Sequence, residues 1–150
     1  METSLDKDHP SNGTRISLRI WHPSMPSEEI TKAIGLSPSL HNDVGAPRTT
    51  PDGQALKGIY TSTYWLYKFS LPINTEVEDC ITKALELLSL KREFLKHIAA
   101  TGGHGELFIG VFLKQNLGIE LDGKLVRQVS DTALGLSFDV YGQAEDVSQS

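Results

Sequence analysis

RISLRIW, residues Arg15–Trp21, alternates apolar and polar side chains, the signature of a strand with two unlike faces. Ile16, Leu18 and Ile20 fall on one side, and Ser17, Arg19 and Trp21 on the other. The period then changes. In HPSMPSEEITKAIGL, Pro26 suits a first helical turn, and Glu28 and Glu29 suit the positive end of the helix dipole. Ile30, Ala33 and Ile34 recur at helical spacing, and Gly35 supplies a left-handed cap. A half-apolar strand followed by a half-apolar helix predicts packing on one side of a sheet, which leaves the side of Arg19 and Trp21 for other work.

The remaining elements follow from the same two periods. TPDGQ reads as a type I turn at Pro51 and Asp52, with strands near 44–49 and 54–60. STYWLYKFSLP places Trp65, Tyr67, Phe69 and Leu71 on one face, Tyr64, Leu66, Lys68 and Ser70 on the other, and stops at Pro72. Helical spacing runs from Val77 through Leu88, breaks at Ser89, resumes with Phe94, Leu95 and Ile98, and ends at Thr101–Gly103. GELFIGVFLK is apolar on both faces and predicts a central strand; LGIEL predicts a shorter one. Asp122 caps a helix with Leu125, Val129 and Ala133 on its stripe, Gly135 ends it, and LSFDVY is the last strand. The expected order is βαββαββαβ: an α+β domain, a largely antiparallel sheet with helices packed on one face, elaborated from a ferredoxin-like unit. One domain spanning 15–142 is expected, with polar tails at 1–14 and 143–150.

Composition narrows the function classes. Fourteen basic against nineteen acidic residues give a net charge of −5, and no basic stripe is visible in the sequence, so nucleic acid is not an expected partner. The only cysteine, Cys80, lies on an apolar helical stripe, which excludes an internal disulfide and predicts an inert buried thiol. METSLDKDHPSNGT has no apolar signal core and no run approaches about 18 apolar residues, so a cytoplasmic location away from membranes is expected.

Motifs for chemistry are sparse. TGGHG has the glycines of a phosphate cradle but runs from helix to strand, the wrong direction for helix amides to meet an anion. His22, His41 and His104 fall near strand or loop ends without the close ligand spacing of a zinc site, and no metal or cofactor is expected. No GxSxG elbow occurs, and Glu28 with Glu29 is explained by the helix dipole. GAPRTT, with Arg48 between Pro47 and two threonines, reads first as a hairpin arm and second as an anion loop.

Taken in order, SLRIWHPSMPSEEITKAIGL, GAPRTT, TYW, ATGGHGELFIGVFL and LGLSFDVYG resemble a bacterial family catalogued as domain of unknown function 4279, over about residues 15–142. That resemblance implies a single bacterial domain and, as the family's name says, no assigned activity or catalytic residue.

The candidate surface is the sheet face turned away from the helices. Strand parity puts Arg19, Trp21, Tyr64, Leu66, Lys68, Phe108, Phe112, Asp139 and Tyr141 there, an aromatic and polar mixture suited to contact with a protein partner or a second copy. The expected function is a non-enzymatic binding module using this face. The alternative is a binder of a small anionic ligand, or an undescribed enzyme, whose pocket lies between the 44–60 hairpin and the sheet, with Arg48 on the anion and Trp21 or Tyr64 stacking.

Overall fold

A computed structural model describes residues 12–142. In chain order the elements are β1 (Gly13–His22), α1 (Ser27–Ile34), β2 (Leu40–Asn42), β3 (Pro47–Thr49), β4 (Ala55–Ile59), β5 (Thr63–Lys68), α2 (Val77–Leu87), a 3-10 turn (Ser89–Lys91), α3 (Arg92–Ala100), β6 (His104–Phe112), α4 (Gly123–Ser130) and β7 (Gly135–Tyr141). Five strands form a mixed, mostly antiparallel sheet in the order β2-β5-β1-β6-β7, and β3 with β4 makes a separate two-stranded ribbon. β1 is antiparallel to both β5 and β6, and only β6 and β7 run parallel. Strands β1 and β2, joined through α1, flank β5, while β5 and β6, joined through α2 and α3, flank β1. These are two interleaved split β-α-β units, to which α4 and β7 add a parallel edge.

The helices share one face of this sheet, because each has one apolar stripe and β1, β5 and β6 offer one largely apolar side, interrupted only by the buried Thr14, His22 and Thr63. Ile16, Leu18, Ile20, Trp65, Leu107, Ile109 and Val111 meet Ile30 and Ile34 of α1, Ile81 and Leu85 of α2, Leu95 and Ile98 of α3, and Leu125 and Val129 of α4 in one buried cluster. The Trp65 indole N–H, which would be costly to bury unpaired, donates to Thr31 Oγ1 at 2.9 Å. Phe69 is buried as expected, and its amide donates to Ile16 O, carrying the β5 side past its last strand residue.

Several expectations are corrected. Residues 117–121, read as a short strand, form none; Glu120 N–H instead donates to the Glu78 carboxylate beside α2. The three-residue β2 was not foreseen, and the hairpin strands are shorter than expected and outside the main sheet. β6 does lie inside the sheet, between β1 and β7, as its two apolar faces predict, and the middle strand of the five is β1. α4 does not end on Gly135: Ala133 takes the left-handed conformation (φ 59°), and Gly135 opens β7. KAIGLS and TALGLS therefore close their helices differently, since Gly35 is the left-handed residue in the first (φ 79°). β1 begins at Gly13, ahead of the Arg15 start read from RISLRIW. Thr14 is buried and its amide donates to Ile73 O, and Asn12 Oδ1 accepts from Lys114 and Gln115 amides. The rest of both expected tails, 1–11 and 143–150, lies outside the described residues.

A candidate binding groove on the open sheet face

Strand register brings the outward side chains of β5, β1, β6 and β7 into one field. Across β1, Ser17 lies opposite both Lys68 and Phe108, Arg19 opposite Leu66 and Glu106, and Trp21 opposite Tyr64 and His104. Gly110 lies between Arg15 and Asp139, and Phe112 is opposite Tyr141. Residues directly opposite share a sheet face, so these side chains all stand on the side away from the helices.

Two clusters form there. At one end, Trp21 packs on Tyr64 (ring centroids 5.2 Å apart) and stacks on His104 (4.5 Å). Burial raises the Tyr64 phenol above its ordinary pKa, so it stays a neutral donor. At the other end lies a concavity of about 400 Å³ with Arg15, Ser17, Arg19, Leu66, Lys68, Phe108, Gly110, Phe112 and Tyr141 among its walls. The small residues Ser17 and Gly110, set between larger neighbours, leave this space. Phe112 and Tyr141 stack at 5.0 Å, and Tyr141 OH donates to Asp139 Oδ2 at 2.7 Å. That hydrogen bond, with burial, holds the phenol above its ordinary pKa.

Arg19 is the pivotal side chain. Its guanidinium sits 3.6 Å from the Phe108 ring centroid and 3.9 Å from Glu106 Oε1, and its Nε is buried with no hydrogen-bond partner. An aromatic face attracts the cation but cannot satisfy that N–H, and a contact of 3.9 Å neutralises it only weakly. Arg15 and Lys68 stand in the same concavity and are exposed. Three cations thus converge on a chain whose net charge is −5. No basic stripe was legible in the linear sequence because Lys68 joins Arg15 and Arg19 only by strand pairing.

The structure brings Arg19, Lys68, Phe108, Phe112 and Tyr141 of the candidate residues to the groove. Trp21 and Tyr64 belong to the separate aromatic cluster. Arg48 stands in neither: it donates to Lys57 O at 3.2 Å within the hairpin, whose Tyr60 hydroxyl also bonds the Thr49 backbone. The concavity lies on the β1-β5-β6-β7 field. Arg15 and Ser17 were missed, although both share the parity of Arg19.

His22 and His41 make contacts at separate places in the fold. His22, at the end of β1, is 2% exposed; its Nδ1 accepts the amides of Ser24 and Met25, so Nε2 carries the proton donated toward Thr101 Oγ1 at 2.8 Å. Burial holds its pKa below the ordinary value, partly offset by Glu29. His41 approaches Ser27 Oγ at 3.0 Å and Asp43 Oδ2 at 3.9 Å, a composition suggestive of a hydrolase triad. The geometry is not one. Both neighbours address the same ring nitrogen, Ser27 is buried, and Asp43 Oδ1 accepts the Ser27 amide at 2.6 Å. Asp43 acts as a cap supplied from a distant loop to α1, whose own cap position is Pro26. That bond is the main cause of its lowered pKa. Cys80 is buried and its thiol pushed up to about 11 by burial, as its helical position predicted. In TGGHG, Gly103 packs where a Cβ would lie 2.4 Å from Trp21 O, a close approach between α3's end and β1.

The family match covers every residue of this open face. Residues 12–143 match the family described as Domain of unknown function (DUF4279), and the chain belongs to that family. No curated protein and no solved structure matches the chain. Among the described residues no helix is long and apolar enough to cross a membrane.

Proposed function

We propose that the domain is a non-enzymatic binding module that holds a protein partner on its open sheet face, with the groove taking an acidic side chain or terminus and the apolar residue beside it. The observation that carries this reading is the convergence of Arg15, Arg19 and Lys68 around a Ser17–Gly110 floor walled by Phe108, Phe112 and Tyr141. The cations fit a carboxylate, and the aromatic walls bring contact area at low conformational cost. The frame is an elaborated ferredoxin-like unit, a reading supported by the two split β-α-β units. A bacterial cytoplasmic setting is part of the proposal; the single thiol, free and buried in the core, fits the reducing compartment.

The test is affinity capture by the full chain from extracts of the source cell, comparing wild type with the double variant Arg15→Glu, Lys68→Glu. Loss of one captured protein with an unchanged melting curve supports the reading. Capture that survives the double reversal sinks it. A small anionic ligand is the second reading, favoured by a concavity volume within the range typical of ligand pockets. Titration with benzoate and with inorganic phosphate, followed through amide shifts of Ser17 and Gly110, distinguishes it.

A further inference from the structure

The outer edge of β7 lies apart from the groove. β7 is the terminal strand of the sheet, seven residues long, and among the described residues nothing pairs with its outer side. Leu113 N–H donates to Tyr141 O at 2.7 Å, so the Tyr141 backbone faces β6. In a parallel ladder one residue's N–H and C=O point the same way and successive residues alternate. Gly135, Ser137 and Asp139 therefore also face β6, and Leu136, Phe138 and Val140 turn their backbone groups outward. Their side chains share the helix side of the sheet with Leu107, Ile109 and Val111 opposite them. Phe138 and Val140 are nevertheless 38% and 56% exposed.

Proteins blunt such edges with proline, lysine, bulges or very short strands. β7 has none of these: its register with β6 is unbroken, and its one charge, Asp139, is turned to the open face and bonded by Tyr141. We infer that β7 pairs antiparallel with β7 of a second copy about a two-fold axis at Phe138. The register is self-selecting. Centred there, Phe138 meets Phe138 of the second copy and Leu136 meets Val140 of the second copy, so every outward group finds a partner in about six ladder bonds. A one-residue slip would set outward groups against inward ones and polar side chains against the apolar row. Centring on Asp139 would oppose two carboxylates, whereas the Phe138 centre sets Asp139 against Ser137. The chain's own C-terminal segment, QAEDVSQS at 143–150, lacks the alternating apolar residues needed to match this row. A second copy carries them by symmetry.

The experiment is sedimentation equilibrium of the full chain over a concentration series, together with amide hydrogen exchange. The expected result is a species of twice 16.5 kDa at high concentration, with Leu136, Phe138 and Val140 amides becoming protected as it forms. Val140→Pro removes only an outward N–H, and Phe138→Lys opposes two cations on the axis; each should give a monomer with an unchanged melting curve. If a variant misfolds, the wild-type exchange pattern alone decides. A wild-type monomer throughout, a dimer without concentration-dependent protection at those three amides, or protection that is independent of concentration and lost on deleting 143–150 would each overturn the inference.

Discussion

Leu18 and Arg19 are adjacent in the chain and end in opposite environments. On the helix side, Leu18, Ile20, Trp65, Leu107 and Ile109 have no exposure, while on the open side Arg19, Tyr64, Leu66, Phe108 and Phe112 are only half-buried, largely by one another. Both faces contain large apolar groups, so hydrophobicity does not distinguish them. What distinguishes them is the presence of helices with matching stripes on one side, and this separates a face that stabilises the domain from one left available for contact.

The sharpest way to break this comparison is to truncate one residue on the covered side. Trp65→Ala should destabilise by about 3–5 kcal/mol, since it empties a buried aromatic site and leaves Thr31 Oγ1 without its donor. A chemical denaturation midpoint near that of wild type would remove Trp65 from the core.

Asp43→Ala should cost less, about 1 kcal/mol, the usual effect of losing a helix cap. The pH dependence sharpens the point. Asp43 titrates lower when folded, so its stabilisation is present above its unfolded pKa and fades as pH falls toward the folded one. His22 acts in the same direction: its folded pKa is depressed, the unfolded chain binds more protons, and stability falls as pH drops below the ordinary histidine range. Thermal melts from pH 7 to pH 3 should show a monotonic decline, with its upper portion weakened in His22→Gln. A melting temperature that rises on acidification contradicts both assignments.

On the open side, Phe112→Ala should change stability by roughly 0.5–1 kcal/mol, because only its stack on Tyr141 and partial burial are lost. Its larger effect should be on partner binding. A cost comparable to Trp65→Ala would mean that this face is core after all. The smallest effect is expected from Arg48→Ala, at most about 0.5 kcal/mol with binding unchanged, because its one bond is exposed and internal to the hairpin. Reduced partner affinity with an intact melting curve would return GAPRTT to the recognition surface.

Local periodicity carried most of the fold. The alternation in RISLRIW and STYWLYKFSLP assigned side chains to faces before any partner strand was known, because a strand's period of two is set by its own backbone. The break at Ser89 and the turn at Gly53 were legible for the same reason: a 3-10 turn and a left-handed glycine are short-range events. LGIEL misled because an apolar run of strand length says nothing about whether an edge is free to receive it. The groove was half legible: parity named Arg19, Lys68, Phe108, Phe112 and Tyr141, but not that they meet.

By itself, then, the chain determined which side of each strand is apolar, where the helices start, where α1 and α3 stop, and that Cys80 would be buried. Tertiary structure decided what no local rule contains. Pairing of β1 with both β5 and β6 joined Lys68 to Arg15 and Arg19, and a loop carboxylate from Asp43 capped a helix sixteen residues earlier in the chain. The physical reason is range. Backbone geometry and side-chain period act over a few residues, whereas the neighbours that make a charge paired or a ring exposed are selected only when distant strands compete for the same ladder.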